Sequence, residues 1–275
     1  MKRLVCYIIV CIGLLVSCAH KSGHSIHSYA PLKIQENENN KPNQSEDYND
    51  DYCLADNKNQ SNQLILRRTA YILSYNPDLL IPNWVAWHLT AEHVNGNCPR
   101  DNTFYEDEEV SIPRATNEDY RGSGWSRGHM CPAGDNKWDE DAMRESNLLT
   151  NICPQDVRLN SGLWNKIEQD CRKWAKKYGV IYIVCGPVLL NKEHETIGEN
   201  KVVVPEAFFK VVLCMNPKPK AIGFVVRNNA GTKKRDQFIN TIDEVERITG
   251  IDFFPALPDD IENEVESYSN INDWN

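Results

Sequence analysis

Between Arg127 and Glu168 the chain places Arg127, His129, Asn151, Asn160 and Glu168, a set of side chains suited to metal-assisted cleavage of a phosphodiester. Such a reaction needs a base for water's proton, positive charge on the phosphoryl oxygens and stabilisation of the leaving alkoxide. His129 can be the base, because imidazole near pH 7 accepts a proton without holding it too tightly. In Ser126-Arg127-Gly128-His129-Met130, an extended backbone puts Arg127 and His129 on one face, so one can hold phosphate while the other activates water. Gly128 between them leaves room for substrate backbone to approach. Asn160 opens a helical pattern and has two readings: its amide oxygen can ligate magnesium, which often takes only one or two protein ligands, or it can cap the helix. Glu168, about 80° further round a regular helix, can receive hydrogen bonds from a metal's waters or be a surface acid.

The elements that must position these groups read as a mixture of strands and helices. Residues 70–75 and 84–89 have the β-branched and aromatic content of neighbouring antiparallel strands, separated by turn residues around Pro77 and Pro82. Residues 91–124 are loop-rich, and the run Glu106-Asp107-Glu108-Glu109 reads as a solvated acidic face in preference to a metal cluster. Apolar residues at three- and four-residue spacing predict a helix from Asn160 to Tyr178, stopped by Gly179. Residues 180–185 read as a buried strand, 208–214 and 221–226 as a hairpin, and 236–249 as an amphipathic helix. Without a regular βαβ alternation the expected class is α+β.

The N-terminus opens Met1-Lys2-Arg3 and continues with an apolar run to Val16, a basic n-region and a secretory h-region too short to span a membrane comfortably. Leu15-Val16-Ser17-Cys18 resembles the lipobox of bacterial lipoproteins, which implies cleavage after residue 17 and lipidation of Cys18; an ordinary signal peptide with an incidental thiol is the alternative. Removing residues 1–17 takes away Lys2 and Arg3 and no acid, leaving 28 basic against 39 acidic residues, a net charge of −11 in place of −9. That sign is unusual for a protein handling nucleic acid, but net charge does not report what lines a cleft. Residues 18–62 are rich in Asn, Gln, Ser and acids and read as a flexible tether. Seven cysteines follow Cys18; export permits pairing, and Cys53 with Cys98 is one candidate, but no connectivity follows from sequence. No Cys-x-x-Cys pair supports a structural zinc site.

The motifs together resemble the DNA/RNA non-specific endonuclease family, with its ββα-metal fold. The matching residues are Arg127-Gly128-His129, Thr150-Asn151-Ile152 with Pro154-Gln155, and Leu159-Asn160-x-Gly162-x-Trp164 with Glu168. Outside the site they continue through Trp84-Val85-Ala86-Trp87, Val184-Cys185-Gly186-Pro187, Phe208-Phe209-Lys210-Val211 and Gly250-Ile251-Asp252-Phe253-Phe254-Pro255. The resemblance implies a central, mostly antiparallel sheet flanked by helices. It also implies His129 as general base, Asn160 as sole direct ligand of Mg2+ (Mn2+ the alternative ion) and Arg127 as a phosphate contact. Glu168 would organise the metal's waters, Asn151 would support the catalytic set, and Arg100, ahead of Arg114, would be a second substrate-binding arginine. Ser126 departs from the aspartate that commonly opens the first motif, which bears on rate, metal preference and the balance of endo- and exonuclease action.

The expectation is a secreted, lipid-anchored magnesium nuclease. It would cut DNA and RNA with little sequence preference, leave 5′-phosphate ends, and reside in a bacterial envelope, at the outer membrane, periplasm or cell surface. Its domains would be a signal peptide at 1–17, a tether at 18–62, the nuclease at 63–267 and a tail at 268–275. The rival expectations are a catalytically weakened nucleic-acid-binding lipoprotein and a phosphodiesterase for small nucleotides.

Overall fold

The β-branched and aromatic runs pair into one antiparallel sheet. The computed structural model describes residues 49–56, 62–229 and 234–275. The strands that bear on the site are β1 (Leu64–Arg67), β2 (Ile72–Asn76), β3 (Ile81–Thr90), β4 (Ser126–His129), β5 (Ile152–Gln155), β6 (Val180–Val188), β7 (Ala207–Cys214), β8 (Lys220–Arg227) and β9 (Ile239–Asn240). Seven of them form the sheet in the order β9-β8-β7-β6-β3-β2-β1, every pair antiparallel. The other two, β4 and β5, make a separate antiparallel ribbon with Ser126 opposite Gln155 and His129 opposite Ile152. The class is therefore α+β, with the mostly antiparallel sheet that the strand pattern predicts.

Side-chain alternation divides the core between the two faces of the sheet. On β3, Val85, Trp87 and Leu89 face one cluster, which includes Met130, Trp164, Ile167 and Phe208. Trp84 and Ala86 face the other, with Phe209, Val211, Val245 and Phe253. The first face carries the β4–β5 ribbon and the helix that follows it; the second is covered by α3 (Ile242–Thr249).

The helix after the ribbon begins earlier than its apolar spacing predicts. The Asp156 carboxylate accepts from the amides of Arg158 and Leu159, so Asp156 is the cap and one helical turn, Val157–Leu159, precedes Asn160. A single π turn follows over Asn160–Trp164, closed by the Asn165 amide donating to the Asn160 carbonyl. The regular helix then runs as Asn165–Tyr178 and ends at Gly179, whose φ of 88° suits a residue without Cβ. Predicted as one helix, residues 236–249 divide: Arg235–Phe238 is a 3-10 turn, β9 extends the sheet edge, and Thr241 caps α3 by accepting from the Glu244 amide. Asp139 likewise caps the short helix Glu140–Ser146.

Ordered structure continues past both expected edges of the nuclease domain. Within the supposed tether, Asp50–Cys53 forms a 3-10 turn and Ala55–Asp56 pairs with Asp252–Phe253. Within the supposed tail, Trp274 is 1% exposed and stacks on Trp174 at 4.5 Å between ring centres. An indole of roughly 150–250 Å2 buried at ~25 cal/mol per Å2 contributes at most about 4–6 kcal/mol, enough to dock an otherwise polar segment. Cysteine pairing is corrected too: Cys53, Cys98 and the other five cysteines among the described residues are all free thiols. The proposed signal peptide and Cys18 lie outside the described residues. No helix among the described residues is long and apolar enough to cross a membrane.

Candidate active site

Strand alternation in β4 puts Arg127 and His129 on the same side, as expected, and one ring registers both: Phe104 lies 5.4 Å from the Arg127 guanidinium carbon and 5.3 Å from the His129 ring. Arg127 also covers Tyr120 at 5.3 Å and donates from Nη2 to the Asn117 carbonyl at 3.0 Å. Held between two rings and a carbonyl, the guanidinium is pre-organised, and little rotamer freedom remains to be lost on binding an anion.

His129 is 9% exposed, and its Nε2 lies 2.9 Å from Asn147 Oδ1. The Asn147 amide is oriented by its other end, because Nδ2 donates to the Asp101 carbonyl at 3.1 Å. Its oxygen must then accept from His129, which assigns the proton to Nε2 and leaves Nδ1 as the basic nitrogen. Burial, helped by the charge of Arg100, pulls the imidazole down to about 4, so the ring is neutral at pH 7.

Asn147 was not among the residues singled out in the sequence. It lies eighteen positions from His129 and ends the helix Glu140–Ser146; nothing in its spacing announces a partner. Asn147→Asp is expected to raise the imidazole pKa by about one to two units, because a carboxylate favours the imidazolium. The acid limb of a pH–rate profile should move upward accordingly, with the loss of rate growing as pH falls.

Gly128 acts differently from expectation, and Asn151 works from inside the fold. Asn151 is fully buried; its Oδ1 accepts from the Cys131 amide at 2.9 Å, and its Nδ2 donates to the Cys131 and Ser146 carbonyls at 2.8 and 2.7 Å. With those atoms engaged inside the protein, Asn151 clamps the exit of β4. Gly128 faces inward, where a Cβ would collide with the Gln155 side chain. The glycine is needed for ribbon packing, not for substrate approach.

Asn160 is not the helix cap, since Asp156 fills that role. Its Nδ2 donates to Ser126 Oγ at 3.1 Å, while Ser126 Oγ donates to the Gln155 carbonyl at 2.7 Å. Ser126 thus holds the amide nitrogen of this partly buried side chain, leaving its oxygen as the acceptor. An aspartate at 126 could not donate to that carbonyl. The π turn matters as well: one extra residue rotates the register by about 100°, so Glu168, roughly 80° from Asn160 on a regular helix, comes to within about 20° of it.

Glu168 has no hydrogen bond to its carboxylate among the described residues, and removal from water, opposed by the charge of Lys210, leaves it pushed up to about 7. The Lys210 ammonium is itself buried, lying 4.9 Å from the Trp87 ring and 4.8 Å from that of Trp164, the last residue of the π turn. Asp135 accepts from both Trp87 Nε1 and Arg172 Nη1 nearby. An amide oxygen and an unpartnered, desolvated carboxylate on one helix face fit a hard divalent cation that retains its waters.

Arg100 is exposed, and its charge acts on both His129 and Glu168. Arg114 is committed elsewhere, to Glu106 at 3.0 Å and the Val110 carbonyl at 3.4 Å. The acidic run is no uniformly solvated face. Asp107, 4% exposed, accepts from Arg68 and from Thr150 Oγ1, both at 2.6 Å.

Comparison with known proteins bears on this arrangement. The family model described as DNA/RNA non-specific endonuclease matches residues 50–260. Human "Nuclease EXOG, mitochondrial" is 37% identical over 69% of this chain and 56% of its own length. Human "Endonuclease G, mitochondrial" is 33% identical over 69% of each chain, and the mitochondrial nuclease of Saccharomyces cerevisiae is 34% identical over 70% of this chain and 65% of its own. A crystal structure of an EndoG/EndoGI complex superposes with a TM-score of 0.66 at 32% identity, over 70% of this chain and 86% of that one. The chain therefore spans somewhat over half the length of the EXOG relatives it matches. Their names overturn the expected bacterial-envelope location: the EXOG, endonuclease G and yeast relatives are all named mitochondrial nucleases. A basic segment followed by an apolar one reports targeting chemistry, which by itself does not define the compartment.

Proposed function

The chain belongs to the DNA/RNA non-specific endonuclease family, and from that premise we propose that it is a metal-dependent hydrolase of phosphodiester bonds in DNA and RNA. Little sequence preference is expected, with 5′-phosphate ends and Mg2+ as the working ion. The observation that carries the reading is the neutral His129 held through Nε2 by Asn147 beside the pre-organised Arg127. A base with one nitrogen fixed and the other available, next to a guanidinium, is an arrangement for activating water against phosphate.

In this reading His129 Nδ1 takes the proton of the attacking water, and Arg127 holds the phosphoryl oxygens of the substrate. Asn160 Oδ1 is the direct protein ligand of the metal, while Glu168 accepts hydrogen bonds from water held there. When bound, the divalent cation supplies positive charge to the phosphoryl oxygens and to the leaving 3′-oxygen. Arg100 lends a second positive charge at the mouth of the site, so local cations offset the net charge of −9 where substrate docks. The nuclease domain proper occupies residues 63–267, with residues 49–56 and 268–275 packed on it.

The test is incubation of the protein with plasmid DNA, single-stranded RNA and a chromogenic phosphodiester in Mg2+, with and without EDTA. Degradation of both polymers, abolished by EDTA, is the expected result. Binding of polymer without hydrolysis would instead favour a capture protein. Hydrolysis of the small ester alone would favour a nucleotide phosphodiesterase.

A further inference from the structure

The sheet face away from the catalytic centre carries a second group of ligand-type side chains. Asp50 and Cys53 are three residues apart on the 3-10 turn Asp50–Cys53. A 3-10 helix repeats every three residues, so both side chains leave the turn on the same side. That side meets His88 of β3: Asp50 Oδ1 lies 2.9 Å from His88 Nδ1, and one ligand atom from each of Asp50, Cys53 and His88 lies within 4.8 Å of the others. His88 alternates along β3 with Trp87, whose indole donates to Asp135 on the catalytic side, so this group lies across the sheet from His129. Cys53 is 5% exposed and unpaired. A cavity of about 210 Å3, lined by Asp50, Cys53 and His88 together with Arg68 and Tyr71, opens beside them. The Arg68 charge is already met by Asp107 and Glu109 at 2.6 and 2.8 Å.

We propose that Asp50, Cys53 and His88 form a binding site for a borderline-soft divalent transition cation, zinc first among them. One sulfur, one imidazole nitrogen and one carboxylate oxygen make a donor set that suits zinc, and the adjoining cavity gives water the fourth position. Magnesium, which prefers oxygen ligands, is not suited to it, so the site is chemically distinct from the Asn160–Glu168 pair. Zinc bonds of ~2.0–2.3 Å in tetrahedral geometry separate ligand atoms by about 3.3–3.8 Å. The present separations, from 2.9 Å to at most 4.8 Å, bracket that range. Asp50, whose side chain is 74% exposed, can turn to lengthen its 2.9 Å contact with His88 into that range. Binding exchanges the Cys53 S–H bond for an S–metal bond and releases the proton to solvent. The result is a clamp that fastens residues 50–53 to β3, an interior strand of the sheet.

Cobalt(II) titration of the full chain in excess Mg2+ tests this, because no cysteine belongs to the proposed catalytic ligands and a thiolate-to-cobalt charge-transfer band reports the new site alone. The expected result is such a band with tetrahedral d–d absorption, saturating at one cobalt per chain and absent from Cys53→Ser and Asp50→Asn. Zinc should raise the melting temperature of the parent protein by a few degrees, and that of Cys53→Ser by none, since only a ligand of the folded state stabilises it. Plasmid cleavage by Cys53→Ser should be unchanged. Absence of the band, its survival in Cys53→Ser, or an equal zinc-induced melting shift in both proteins would overturn the site, whatever the outcome of the nuclease assays.

Discussion

Replacing His129 with alanine is expected to lower kcat on plasmid DNA by about 10²–10⁴-fold, the usual contribution of a positioned general base, or about 3–5 kcal/mol of barrier. KM should change little, because the imidazole meets water more than substrate and the Arg127 guanidinium keeps its rings and its Asn117 carbonyl. The buried ring stacks on Phe104, so a stability check must accompany the kinetics. His129→Gln preserves more volume and serves as the control: it should lose activity with a smaller loss of stability. Cleavage at near-parental rates by a folded His129→Ala protein would remove His129 from the mechanism.

The second large effect concerns the metal. Outer partners of a metal site cost about 10–100-fold in affinity when removed, so loss of the direct ligand in Asn160→Ala should weaken Mg2+ binding by at least about 100-fold. Cleavage should be partly restored at high Mg2+. Ser126→Ala should move affinity in the same direction by less, since it frees the Asn160 amide without deleting it. Unchanged Mg2+ dependence in Asn160→Ala would exclude the assignment.

Acidity adds a sign to this prediction. The Glu168 carboxyl titrates near 7 before metal binds. Below that pH a cation must displace its proton, so the Mg2+ dissociation constant should rise as pH falls from about 7, by up to about tenfold per unit. The dependence should vanish in Glu168→Gln. His129, protonating only near 4, does not set this limb, so at saturating Mg2+ activity should persist well below pH 7. Folding stability runs with the same proton: the folded state binds it more tightly than the unfolded chain, so the Glu168 contribution declines as pH rises from about 4.5 to about 7.

Local pattern carried far into the fold. The strands around residues 72–76 and 81–90, the buried strand at 180–188 and the 207–227 hairpin follow from alternation and turn residues, because a strand's side-chain period is legible over a few positions. Errors came where one residue outweighs the average of its neighbours. Asp156 moved the helix start because a single carboxylate satisfies two terminal amides. Thr241 began α3 late for the same reason, and Trp274 docked the tail through one buried indole.

By itself the sequence determined the chemistry available: a histidine and an arginine two apart in an extended segment, an asparagine and a glutamate on the next helix, and the α+β class that holds them. Tertiary structure alone decided how those groups are used. Asn147 comes from another helix to choose the tautomer of His129, Ser126 turns the Asn160 amide, and a π turn rotates Glu168 toward it. Lys210 and Arg100 set the charge around that carboxylate from distant positions in the chain. Residue type and local period are properties of short segments, whereas proton position, amide orientation and desolvation depend on atoms brought together across the fold. The same holds for Asp50, Cys53 and His88, which no spacing rule would join and which meet only because a 3-10 turn packs on β3.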